Sequence, residues 1–85
     1  MDSHKEFKDK LDLEHNWPST YMFKFVVPSD KVQSFHDIFL KEKLKSKKSK
    51  AGNYVSFTLE KRMNSSEEVV EIYLKAKKIE GLIAL

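Results

Sequence analysis

Two stretches of this chain alternate apolar and polar side chains with a period of two. That pattern marks them as strands of a sheet covered on one side only. From Thr20 to Val27, Tyr21, Phe23, Phe25 and Val27 share one face, while Met22, Lys24 and Val26 share the other. From Tyr54 to Arg62, Val55, Phe57 and Leu59 point one way; Tyr54, Ser56, Thr58 and Glu60 point the other. The aromatic faces predict the core. A chain of 85 residues with six Phe and a hydrophobic fraction of 40% supports one such core and no more.

The segments between these strands read as helices and a short edge. Pro28 stops the first strand, and Ser29 or Asp30 can cap a helix from about Asp30 to Lys43. Val32, Phe35, Ile38 and Phe39 form its apolar stripe, with His36 at the margin. Lysines then dominate, and Glu42 is the only acid among Lys41, Lys43, Lys45, Lys47, Lys48 and Lys50. The second half of this run reads as an edge strand, because lysines there oppose pairing with other chains. Ala51-Gly52-Asn53 is a turn signal before the second alternating strand. Ser65 and Glu68 have capping-box spacing for a second helix, about Ser66 to Lys78. Val69, Ile72, Tyr73, Ala76 and Ile79 align on it, Gly81 is expected to end it, and Leu82 to Leu85 is a last short strand.

This order of elements predicts an α+β chain, a ferredoxin-like βαββαβ sandwich. Both helices lie on one face of a four-stranded antiparallel sheet of order 4-1-3-2, with the lysine-rich strand on an edge. Treating each strand-helix-strand unit as a simple crossover instead makes the first-third and fourth-first pairs parallel. Residues 17–85 are expected to form the single domain, with order beginning near Trp17-Pro18. Residues 1–16 read as a flexible or partly helical tail, in which Phe7 and Leu11 sit four apart with Leu13 nearby.

Three stretches resemble the small bacterial YbeD-like proteins, an uncharacterised family. They are Trp17-Pro18 leading into Tyr21-Met22-Phe23-Lys24, then Ser49-Lys50-Ala51-Gly52-Asn53-Tyr54-Val55-Ser56-Phe57-Thr58, and Glu68-Val69-Val70-Glu71-Ile72-Tyr73 with the terminal Leu82-Ile83-Ala84-Leu85. Trp17 stands where many relatives carry Phe. The resemblance covers nearly all of the expected domain and leaves out the tail. It implies a ferredoxin-like fold similar to the ACT regulatory domains of amino-acid enzymes, and it implies no activity and no functional residues. ACT domains often bind effectors near a glycine-bearing loop after the first strand. Here that loop is Val27-Pro28-Ser29-Asp30, without glycine, so close backbone approach to a ligand is harder.

Chemistry is sparse. With no Cys there is no disulfide, thiolate metal site or Cys nucleophile. His4, His15 and His36 match no metal-ligand spacing, and no catalytic, metal or cofactor site is expected. Ser65, Ser66, Glu67 and Glu68 are explained by a helix start, where caps and negative charge are favoured. Lys50-Ala51-Gly52-Asn53 has a single glycine and is no phosphate loop. The polar Met1–Glu14 stretch shows no apolar targeting core, and a cytoplasmic location is the default expectation.

What remains is a capacity for contact. The chain reads as a non-enzymatic binding or regulatory module that meets a protein partner, a second copy or a small-molecule effector, and no membrane. The alternative is nucleic-acid binding through Lys45, Lys47, Lys48 and Lys50. Lys50, Tyr54, Val55 and Phe57 echo the third-strand motif of RNA-recognition domains. Ala51 takes the place of its glycine, and Gly52 replaces one stacking aromatic. The net charge of +3 is mild for such a role. Met22, Lys24 and Tyr54 on the open strand faces complete the candidate surface, with Val70 and Leu74 off the main stripe of the second helix.

Overall fold

The computed structural model describes residues 3–85. Its elements are α1 (Ser3–Glu14), β1 (Ser19–Pro28), a 3-10 turn (Ser29–Lys31), α2 (Val32–Ile38), β2 (Lys45–Lys48), β3 (Tyr54–Met63), α3 (Ser66–Ala76) and β4 (Ile83–Ala84). The sheet order is β2-β3-β1-β4, which is the expected 4-1-3-2 counted from the other edge. The fold after α1 is thus the α+β, ferredoxin-like arrangement. All three strand pairs are antiparallel. The parallel pairing suggested by simple crossovers is therefore corrected. α2 and α3 each link strands that are not neighbours, and the strand between them runs the other way.

β1 and β3 form the spine, paired along their whole length from Ser19 opposite Met63 to Pro28 opposite Tyr54. Their core-facing side chains, Phe23, Phe25, Val27, Val55, Phe57 and Leu59, are buried as the alternation predicts. Phe35 and Phe39 from the α2 region and Val69, Ile72 and Ala76 from α3 pack over them. The rings interlock, Phe35 lying 4.3 Å from Phe57 and 4.8 Å from Phe39 between centroids.

Two boundaries differ from expectation. The first helix stops at Ile38 instead of reaching Lys43. Phe39 leaves the helical region at φ −112, ψ 39 and stays buried. The following Lys41, Glu42 and Lys43 offer no apolar side chain to hold another turn on the core. The loop is instead tied to β3 by the ion pair of Glu42 with Lys61 at 2.6 Å. The last helix stops at Ala76, five residues before Gly81. That glycine serves the turn into β4: its φ is +82, and a Cβ there would lie 2.9 Å from Pro28 Cγ. The capping serine is where it was expected, with Ser65 Oγ accepting from Glu68 N–H and Glu68 Oε1 accepting from Asn64 N–H.

Of the segment read as a flexible or partly helical tail, residues 1 and 2 lie outside the described residues, and Ser3–Glu14 form the helix α1. Its Leu11 is buried, and Phe7 meets Tyr73 edge-on at 5.5 Å. The four-residue spacing puts both anchors on one face of the helix. The connection to β1 contains a cis Trp17-Pro18 bond, and Trp17 Nε1–H donates to Asp12 Oδ1 at 2.8 Å.

Candidate functional site

The helices cover one face of the sheet and leave the other open. Residues directly opposite in antiparallel strands share a face, which sets out the open side as rows. One row runs Lys47, Ser56, Val26, Ile83 across β2, β3, β1 and β4. The next runs Lys45, Thr58, Lys24, and the Leu85 N–H donates to Lys24 O at 2.9 Å, placing Leu85 beside Lys24. Glu60 opposite Met22 and Arg62 opposite Thr20 continue the face at one end, and Tyr54 lies at the other.

Of the seven large apolar side chains that stay exposed among the described residues, four lie here: Met22 (53%), Tyr54, Ile83 (52%) and Leu85. Such clustering distinguishes a patch from the scattered apolar exposure of any surface. The face is also basic. Among its paired strand residues, Lys24, Lys45, Lys47 and Arg62 stand against Glu60. Val26, Lys47, Lys48, Ser49, Tyr54 and Ser56 line a shallow depression of about 250 Å³ on it.

The structure thus brings together Met22, Lys24, Tyr54, Lys45 and Lys47. It separates the others. Lys48 borders the depression, but it pairs with Val55, which directs its side chain toward the helix side of the exposed edge, and Lys50 sits in the turn before Gly52. Val70 is not open surface: it is 7% exposed, with α1 packed beside α3. Leu74 is partly open. With His4, Phe7, Val70, Tyr73 and Lys77 it lines a separate hollow of about 160 Å³ between α1 and α3. Sequence reading missed Ile83 and Leu85. Leu82-Ile83-Ala84-Leu85 is apolar throughout, so no alternation showed which of its side chains face outward.

No chemistry gathers on this face. His15 stacks on Trp17 at 5.2 Å, His36 meets Phe57 edge-on at 5.3 Å, and His4 is at the α1–α3 hollow. Among the described residues no group of three His, Asp or Glu converges in a way that would hold a metal ion. The clearest perturbed group lies on the opposite side of the sheet. Burial, reinforced by the 3.1 Å hydrogen bond between its hydroxyl and that of Tyr21, pushes the Tyr73 phenol well above its usual range. That favours the neutral phenol and suits a structural bond better than acid–base work. Among the described residues no helix is long and apolar enough to cross a membrane.

Residues 13–85 match DUF493, a family described as a protein of unknown function. The chain belongs to the DUF493 family. YbeD is a member, so the resemblance carried by the three sequence stretches and this match agree. The match takes in the whole sheet and both helices packed on it, while most of α1 precedes it. No curated protein and no solved structure matches the chain.

Proposed function

We propose that this DUF493 chain is a non-catalytic binding module that makes protein contact through its open sheet face. The observation that carries this is the convergence of Met22, Val26, Tyr54, Ile83 and Leu85 on one uncovered surface, flanked by Lys24, Lys45 and Lys47. The ACT-like sensing option has less support. The loop after β1 is occupied by its own contacts: Ser29 N–H donates to Asn53 O, its hydroxyl donates to Gly52 O, and Pro28 packs against Gly81. An effector would have to displace these.

A photoreactive amino acid in place of Met22, compared with one in place of Glu71 on α3, tests the reading in the native cell. Cross-linking to a partner protein is expected from position 22 and not from position 71. No adduct at 22, or equal adducts at both, would sink it. Residue-dependent turnover of a metabolite by the purified chain would equally remove the non-catalytic reading.

A second reading, nucleic-acid binding, is favoured by one observation. Lys24, Lys45 and Lys47 share the open face with Tyr54. Against it, Tyr54 is the only aromatic ring on that face among the described residues, and base stacking generally uses several. Titration with single-stranded RNA and DNA at two salt concentrations separates the readings, because phosphate contacts give strongly salt-dependent binding.

A further inference from the structure

We propose that the occupant of the open face is an acidic amphipathic helix of a partner protein, lying along β1 and β4 with its acidic flank toward β2. This rests on the open face being the contact surface. The face is divided lengthwise. Met22, Val26, Ile83 and Leu85 lie on β1 and β4, with Lys24 between Met22 and Val26 on β1; Lys45, Lys47, Ser56 and Thr58 lie on β2 and β3, with Glu60 and Tyr54 toward the two ends of β3. A partner that fits must be apolar along one line and anionic along a parallel line.

Dimensions favour a helix. Met22 and Val26 are four strand residues apart, roughly 13 Å. That is about nine residues of helix, enough for three or four apolar positions of one stripe. From β4 to β3 is two strand spacings, about 10 Å, which matches the width of one helix with its side chains. A helix seated there adds a third layer to a two-layer sandwich and covers the apolar half, while its flank reaches the lysines.

Other occupants fit less well. A second copy docked face to face by a two-fold axis would set its basic face against an identical one, with like charges opposed. An added strand would have to use a sheet edge. One edge is β2, lined with lysines, and the other is β4, whose 2 residues offer an added strand little to pair with.

The test uses the full chain and fluorescence anisotropy with synthetic peptides of about 15 residues. One peptide carries a leucine stripe with a glutamate flank. A second has the same composition in scrambled order, a third replaces each glutamate by lysine, and oligouridylate is a fourth probe. The ordered acidic peptide should bind and weaken with salt. Its affinity should fall about tenfold on Ile83→Asp and again on the pair Lys45→Glu and Lys47→Glu, with folding checked by thermal melts. The charge-reversed chain should gain affinity for the lysine peptide. Equal binding of the scrambled peptide, indifference to the face substitutions, or binding of oligouridylate in place of the peptide would each overturn the proposal. If Met22 cross-links to a protein in the cell but the acidic helix does not bind, the contact face stands and the helix assignment falls. If both fail, both fall.

Discussion

The two faces of this sheet are made by the same strands, yet they follow different rules. On the covered face β1 and β3 present Phe23, Phe25, Phe57 and Leu59, all buried and packed ring against ring beneath α2 and α3. One residue along each strand the side chains turn to solvent as Met22, Lys24, Ser56 and Thr58. The covered face is filled by shape, so volume changes there should be felt strongly. The open face has no covering layer, so its side chains should matter little to folding. The contrast separates residues that hold the domain together from residues free to be used for contact.

The strongest challenge to this contrast is Phe57→Ala. Phe57 is the ring on which Phe35 stacks, and its loss should cost about 3–5 kcal/mol in chemical denaturation. For a domain of this size that is a large part of the total. A loss below about 1 kcal/mol would mean that the covered face is loosely packed. Leu11→Ala should come next, at roughly 2–3 kcal/mol. It asks whether α1, most of which lies before the family match, belongs to the same cooperative core. A negligible change would detach α1 from it.

How far each face could be read from sequence follows from the same contrast. The period of two in β1 and β3 is long, and each buried position is flanked by polar or partly exposed ones, so the strands and their inward faces were legible. The Ser65 cap was legible because its partners lie within four residues. Helix ends were less so. Whether Phe39 continues a helix or folds back onto the core depends on what its neighbours find to pack against, and the lysines that follow offer nothing. Val70 shows the remaining limit. Its position off the main stripe suggested exposure, but its burial depends on α1 docking from more than fifty residues earlier in the chain. Nothing local to α3 reports that contact. The open face itself was only half legible, because Ile83 and Leu85 join it through the pairing of β4 with β1.

Smaller effects refine the picture at the margin of the covered side. Ser65→Ala removes the acceptor for Glu68 N–H and should cost about 1 kcal/mol. Ser65→Asp, which keeps an acceptor, should restore most of it. The Tyr21–Tyr73 pair predicts a pH effect. Because folding raises the Tyr73 pKa, the neutral phenol is favoured in the folded state. Its contribution is complete below the ordinary tyrosine value near 10 and is lost as pH rises through that value toward the higher folded one. Stability should therefore fall on the alkaline side, and Tyr73→Phe should flatten that decline in melts taken across pH 9 to 11.

The smallest expected effect bears most directly on the open face. Met22→Lys replaces a half-exposed apolar side chain at a position opposite Glu60, where a new lysine meets a carboxylate across the strand pair. Stability should change by no more than about 0.5 kcal/mol in either direction, since no core contact is removed. Phe23→Lys, one residue along the same strand, should abolish folding, because it buries a charge with no partner. The pair isolates side-chain direction from strand position and composition. If Met22→Lys costs more than about 1 kcal/mol, the open face contributes to folding and its apolar residues are no longer free for a partner. If stability is unchanged while cross-linking from a photoreactive position 83 is lost, Met22 is held for contact, and the difference between the two faces is one of function as well as packing.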